Sequence, residues 1–245
     1  MAKLNKIMKK KKSYLLILFF STCVFCNSSS AQSYILKSFE GENVRIKLTN
    51  KSNRALTISC LKDTIFVNEY MWIREVHVLK DKFLQIIYDT RGGSGLDLRN
   101  TLILLVDHKK INVSMLVTSY ARLVSSDKKG FYKSTFNLTG SDRSNYKIVA
   151  RVHDEQSSKL HPENNYNKAN QVTFHFDNEK DIFYSAHNNI NKSFTFNDPQ
   201  TKQSNKQQVN GSVYTIAIGQ QSYYYINSQW YKIGYDDNLF KEYYK

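Results

Sequence analysis

Along most of this chain apolar residues recur at every second position, a period that fits strands and not helices. Val44-Arg45-Ile46-Lys47-Leu48 alternates apolar and basic, and Leu56-Thr57-Ile58-Ser59-Cys60 alternates again. The segment 72–79, WIREVHVL, also reads as a strand. Phe83 to Tyr88 is interrupted only by Gln85, and Leu102 to Val106 is continuously apolar. Such runs predict strands covered on both faces. Further strands are expected at 111–120, 131–138, 146–152, 172–176, 182–185, 194–196, 213–218, 223–226 and 230–233. Turn-forming clusters separate them, among them Glu40-Gly41-Glu42-Asn43, Lys80-Asp81, Lys128-Lys129-Gly130 and Thr139-Gly140-Ser141-Asp142. No interior segment carries a long amphipathic helical pattern; only 236–245 could make a short terminal helix.

Short strands at this spacing predict an all-β domain, an antiparallel sandwich or barrel-like meander. The alternative is a degenerate propeller, which at roughly 40 residues per blade would have about five blades. The only prolines are Pro162 and Pro199, both in polar stretches. The second stretch, DPQTKQSNKQQVNG at 198–211, reads as the longest loop and as a mobile one. It would set off a C-terminal aromatic hairpin unit at 212–235 within a single domain of residues 32–245.

The first thirty residues have a different character. Lys9 to Lys12 form a basic cluster, Tyr14 to Cys26 is apolar apart from Ser21 and Thr22, and Asn27-Ser28-Ser29-Ser30-Ala31 is small and polar. A basic head, a short apolar body and a small-residue exit predict a secretory signal peptide cut after Ala31. The apolar body spans about 20 Å as a helix, short of the roughly 30 Å needed to cross a bilayer. No transmembrane helix is therefore expected in the mature chain. A lipoprotein acylated at Cys23 or Cys26 is the rival reading, but Thr22 and Phe25 are poor residues to precede an acylated cysteine. The Ser30-Ala31-Gln32 exit resembles signal peptides of Gram-negative Bacteroidetes, which implies a bacterial envelope protein, periplasmic, surface-bound or extracellular. Asp63-Thr64-Ile65 resembles the short O-glycosylation motif of exported proteins of the same group.

Export changes the charge and the cysteine chemistry. The leader holds six of the 35 basic residues and none of the 21 acidic ones, so residues 32–245 carry +8 rather than the +14 of the whole chain. A surplus of that size favours anionic partners such as cell-surface polymers. The bases are scattered and are not interleaved with aromatics in an arginine-rich stripe, so nucleic acid is not expected as a partner. Cys60 is the one cysteine after the leader, so the exported domain must be held by burial without an internal disulfide. Its phase in the alternating run predicts a core position.

Three stretches contain chemically useful residues. YDTRGGSGLDLRN, 88–100, is the only glycine cluster. It lacks the Lys-Ser/Thr and the following helix of a phosphate-binding loop. It reads as a wide hairpin connection, or as a ligand loop with Arg91, Asp97 and Arg99 as polar contacts. VHDEQSSKLHPENN, 152–165, gathers His153, Asp154, His161 and Glu163, the densest set of potential metal ligands, at a spacing that matches no established metal motif. SYYYINSQWYKIGY, 222–235, reads as a hairpin in which Tyr223, Tyr225 and Trp230 share or flank a face, able to stack on sugar rings or simply to pack. Gly92-Gly93-Ser94-Gly95-Leu96 fails as a nucleophile elbow at its last position. No catalytic or cofactor signature emerges. The reading is a non-catalytic binding or structural protein of the envelope, with a glycan or anionic surface polymer as partner. The alternative is a secreted hydrolase with a cation-assisted site on the 153–163 loop.

Overall fold

The computed structural model describes residues 31–51, 55–67, 70–90, 93–197, 204–218, 221–226, 229–233 and 239–240. Among them every regular element is an antiparallel strand, apart from one 3-10 turn at Pro162–Asn164. The strands form three sheets, each built by pairing neighbours in the sequence. The first contains β1 (Ala31–Lys37), β2 (Asn43–Lys51), β3 (Ala55–Cys60) and β4 (Asp63–Val67). The second contains β5 (Tyr70–Leu79), β6 (Phe83–Thr90), β7 (Leu96–Asp107), β8 (Lys110–Val124), β9 (Lys128–Thr139), β10 (Lys147–Ser158), β11 (Tyr166–Asp177) and β12 (Ile182–Tyr184). The third contains β13 (Ala186–Asn197), β14 (Ser204–Ile218), β15 (Gln221–Ile226), β16 (Gln229–Ile233) and β17 (Leu239–Phe240). The expected antiparallel all-β meander is present, as packed open sheets. Eight of the strands form one continuous meander in a single sheet, which cannot be divided into the repeated four-stranded blades of a propeller, so the propeller alternative falls. No helix among the described residues is long and apolar enough to cross a membrane.

Pairing neighbours needs only short connections, and the backbone supplies them. Cys60 pairs Asp63 and Asp107 pairs Lys110 across two-residue turns, with Leu61, His108 and Lys109 at positive φ as such turns require. The alternating segments bury as their period demands. Val44, Ile46 and Leu48 face inward on β2, opposite Leu56, Ile58 and Cys60 on β3. Each fully buried aliphatic of this set contributes about 1.5–3 kcal/mol.

The central sheet is covered on both faces over part of its length. On β7 every residue from Asn100 to Asp107 is buried, and on β8 every residue from Ser114 to Ser119. Cover comes from the first sheet, whose β1, β3 and β4 touch β5, β7 and β8, and from β16 of the third, which touches β8. Asp63 ties the first sheet on: its carboxylate accepts from the Ile111 amide at 2.7 Å and from the Thr64 amide at 2.9 Å. At one end Phe39, Phe83, Tyr146, Phe176 and Phe183 pack as a ring cluster with centroids 4.9 to 6.3 Å apart. Arg143 stands over Phe39 and bridges Asp107 and Asp181.

At the opposite ends of β7 to β10 the strands run past their cover. Asp97, Arg122, Leu123, Val124, Lys128 and Lys129 are exposed there. That overhang positions the candidate site.

Three expectations for the C-terminal part need correction. The 198–211 stretch is not one long loop, because β14 begins at Ser204 and pairs with β13 from Asn197↔Ser204 to Ala186↔Thr215. A backbone ladder needs no apolar alternation, so a Gln- and Asn-rich strand leaves no periodic trace in the sequence. Residues 198–203 lie outside the described set. The same strand crosses the boundary at 212, so 212–235 is not a separate hairpin unit. In the 236–245 tail the described residues, Leu239 and Phe240, form strand β17 rather than a helix.

Candidate functional site

The site begins with an irregularity in β5. Its register against β6 shifts between Tyr70 and Trp72 and again between Ile73 and Glu75, which makes Met71 and Arg74 the extra residues of two bulges. Bulges re-aim side chains, and here the second swings Arg74 toward the neighbouring strand. Trp72 pairs with Asp89, Asp89 with Arg99, and Arg99 with Tyr120, so one row crosses β5, β6, β7 and β8.

Asp89 is the hub of that row. It is 8% exposed. One carboxylate oxygen, Oδ2, accepts from Arg74 Nε at 2.8 Å and lies 2.5 Å from its Nη2. The other, Oδ1, accepts from Arg99 Nε at 3.0 Å. Burial pushes the carboxyl up, but the two guanidinium groups outweigh it and hold Asp89 below the usual aspartate value. The same hydrogen bonds raise Arg74. Each guanidinium also stands over a ring: Arg74 is 5.1 Å from the Trp72 centroid, and Arg99 is 5.0 Å from that of Tyr120. Trp72 remains 44% exposed. These groups, with Asp97, line an open cleft of about 550 Å³.

The glycine-rich connection forms one wall. The Leu96 amide donates to the Gly93 carbonyl, and the Val124 amide donates to Gly95, which closes β7 onto β8. Gly95 has φ +78°, and a Cβ there would lie 2.5 Å from the Val124 carbonyl oxygen. Only glycine fits that close approach.

A second cleft of about 470 Å³ adjoins it. Asp97, Arg122, Phe131, Glu155 and Asn167 form the next row across β7 to β11, two residues along from Arg99, Tyr120, Lys133 and His153. Tyr120 in the first cleft touches Phe131 in the second edge-to-face at 5.7 Å, and Phe131 touches His153 at 5.7 Å. The two clefts therefore share one sheet face and one aromatic ridge.

No family model matches this chain, and no curated protein or solved structure matches it. The chemistry of the site must be read from its own residues. Both oxygens of Asp89 are committed to arginines, so the cluster is built to hold cationic forks in place against aromatic walls.

Of the residues singled out from the sequence, the structure brings Asp97 and Arg99 together in the first cleft; Arg91 lies outside the described residues. Tyr223, Tyr225 and Trp230 do share a face, since Tyr225 pairs with Trp230 and the rings meet at 5.2 Å. That face turns inward: Tyr223 is 1% exposed and Trp230 3%, with Tyr225 packed against the core. As an exposed stacking strip the trio is corrected, because the hairpin uses these rings to seat the third sheet.

The 153–163 candidates do not converge. His153 Nε2 pairs with Glu155 at 3.3 Å, and His161 Nδ1 pairs with Glu163 at 3.1 Å in an exposed turn. Asp154, on the other face of β10, accepts from the Tyr166 hydroxyl at 3.2 Å. Among the described residues the one trio with metal-ligand spacing is Glu40, Asp107 and His108, at the far end of the sheets. There Glu40 accepts from the His108 amide at 3.2 Å, while Arg143 occupies Asp107 Oδ2 at 2.9 Å. A built-in cation thus already neutralises the buried carboxylate.

Sequence reasoning missed Trp72, Arg74, Asp89 and Tyr120. Their one local signal is the polar Asp89-Thr90 closing an apolar run, and nothing in the sequence reveals the bulge that turns Arg74 toward it.

Proposed function

We propose that this chain is an exported, non-catalytic binding protein of the bacterial cell envelope, and that a glycan or cell-surface polymer docks in the cleft between Trp72 and Tyr120. The observation that carries this reading is the Asp89 hub, which holds two arginine forks over two partly exposed rings. Aromatic faces receive the apolar faces of sugars, and guanidinium forks receive hydroxyl or acidic oxygens in fixed geometry. A hub that fixes both arginines in advance lowers the ordering cost of binding. Overhanging strands without cover leave the cleft open to a large ligand. The basic leader with its apolar body and small-residue exit supports export, with Gln32 as the first residue of the mature protein.

Purified residues 32–245 should retain specific glycans or envelope polymers on an array. Trp72→Ala and Arg99→Ala should each weaken that binding about tenfold, which corresponds to about 1.4 kcal/mol. Retention of no polymer, or unchanged binding by both variants, would remove the reading. Mass spectrometry of the native N-terminus tests export: a chain that still begins ahead of Gln32 contradicts the proposed cleavage.

A further inference from the structure

We infer that the ligand is a linear glycan carrying carboxylates, laid across the strands from β5 to β10 with an acidic unit seated at Arg74 and Arg99; this rests on the binding function proposed above. The first ground is charge. In and between the two clefts stand five cations, Arg74, Arg99, Arg122, Lys129 and Lys133, against the three carboxylates Asp89, Asp97 and Glu155, which leaves a surplus of two positive charges. At the hub a single carboxylate serves two guanidiniums, and with Asp97 in the same cleft the net surplus falls at Arg122, Lys129 and Lys133, farther along the face. Among the described residues Arg99 donates through Nε alone, to Asp89, so its two Nη groups can take a second carboxylate end-on.

The second ground is continuity. Tyr120 and Phe131 join the clefts through their ring contact, and cross-strand pairs connect Trp72 on β5 to Tyr120 on β8, Lys133 on β9 and His153 on β10. Five interstrand steps span roughly 24 Å. That is several sugar units, so a monosaccharide fills a fraction of the face and an oligomer fills all of it. The bases alternate with rings along the path, as acidic groups alternate with ring faces along a polyuronate.

The test is isothermal titration of residues 32–245 with length series of oligogalacturonates and oligomannuronates, beside uncharged malto-oligosaccharides of the same lengths. Affinity for an acidic series should rise with length to a plateau and weaken as salt is added. Arg99→Gln should weaken the longest acidic oligomer at least tenfold. Phe131→Ala should abolish the gain with length, so that long and short acidic oligomers bind alike, with the thermal transition of both variants as the check on folding. Equal affinity for the neutral series overturns the acidic ligand but leaves glycan binding standing. An affinity that does not change with length overturns the extended path. Failure of both acidic series, while other glycans are retained on the array, overturns this inference alone; failure of every glycan overturns the proposed function with it.

Discussion

The phenol of Tyr223 accepts a hydrogen bond from the backbone amide of Thr118 at 2.7 Å, joining the third sheet to the central one. Thr118 lies two residues past the end of the β8–β9 ladder, which stops at Tyr120↔Lys133. Removing the hydroxyl takes this acceptor away from a buried amide. Tyr223→Phe should cost about 1–3 kcal/mol, measured by urea denaturation, and should speed hydrogen exchange at Thr118. Unchanged stability together with unchanged exchange would mean that the contact does not fasten the sheets.

Asp89 predicts a pH dependence with a definite sign. Its folded value is lowered relative to the unfolded aspartate value of about 3.9. The stability it contributes is therefore complete above that unfolded value and is lost as pH falls through the lower folded one. Asp89→Asn should destabilise at neutral pH by about 1–2 kcal/mol, at the modest end because both arginines are partly solvated. The gap between variant and parent should close in acid. A constant difference across the acid range would show that the arginines are not what holds the carboxyl down.

Two nearby glycines should respond differently to the same substitution. Gly95→Ala meets the Val124 carbonyl and a positive φ, and should cost at least about 1–2 kcal/mol. Gly93→Ala has nothing within 4 Å of the added methyl and should be nearly neutral. Thermal unfolding of the pair decides it, and the cleft wall built on Gly95 should lose ligand affinity in the first variant only.

Leu61 is 69% exposed and sits at φ 54° in the β3–β4 turn. A left-handed conformation is costly for leucine, whereas glycine adopts it freely at some expense in unfolded-state entropy. Leu61→Gly should therefore stabilise by roughly 0.5 kcal/mol, a small rise in the denaturation midpoint. A fall would show that the exposed side chain packs usefully in the turn.

Much of the fold was legible locally because burial follows backbone period. Val44, Ile46 and Leu48 announce a half-buried strand, and Leu102 to Val106 announces one covered twice; β2 and β7 bury in that way. Lys80-Asp81 reads as a turn and forms one, both residues at positive φ. The polar strand from Ser204 was illegible, since ladder hydrogen bonds carry no side-chain signature.

The candidate site was legible only in fragments. Asp97 and Arg99 could be named because a glycine cluster precedes them. The 222–235 hairpin could be named as aromatic, and its strands pair Tyr225 with Trp230. Alternation alone says which residues share a face of one strand. It does not say whether that face meets a sheet or water, or which residue of the next strand stands opposite. Two bulges in β5 put Trp72 and Arg74 beside Asp89, and the limited reach of the covering sheets left Tyr120 and Phe131 uncovered while Tyr223 was sealed in. Those outcomes depend on register and on packing between segments far apart in the chain, which no periodicity within a single strand encodes.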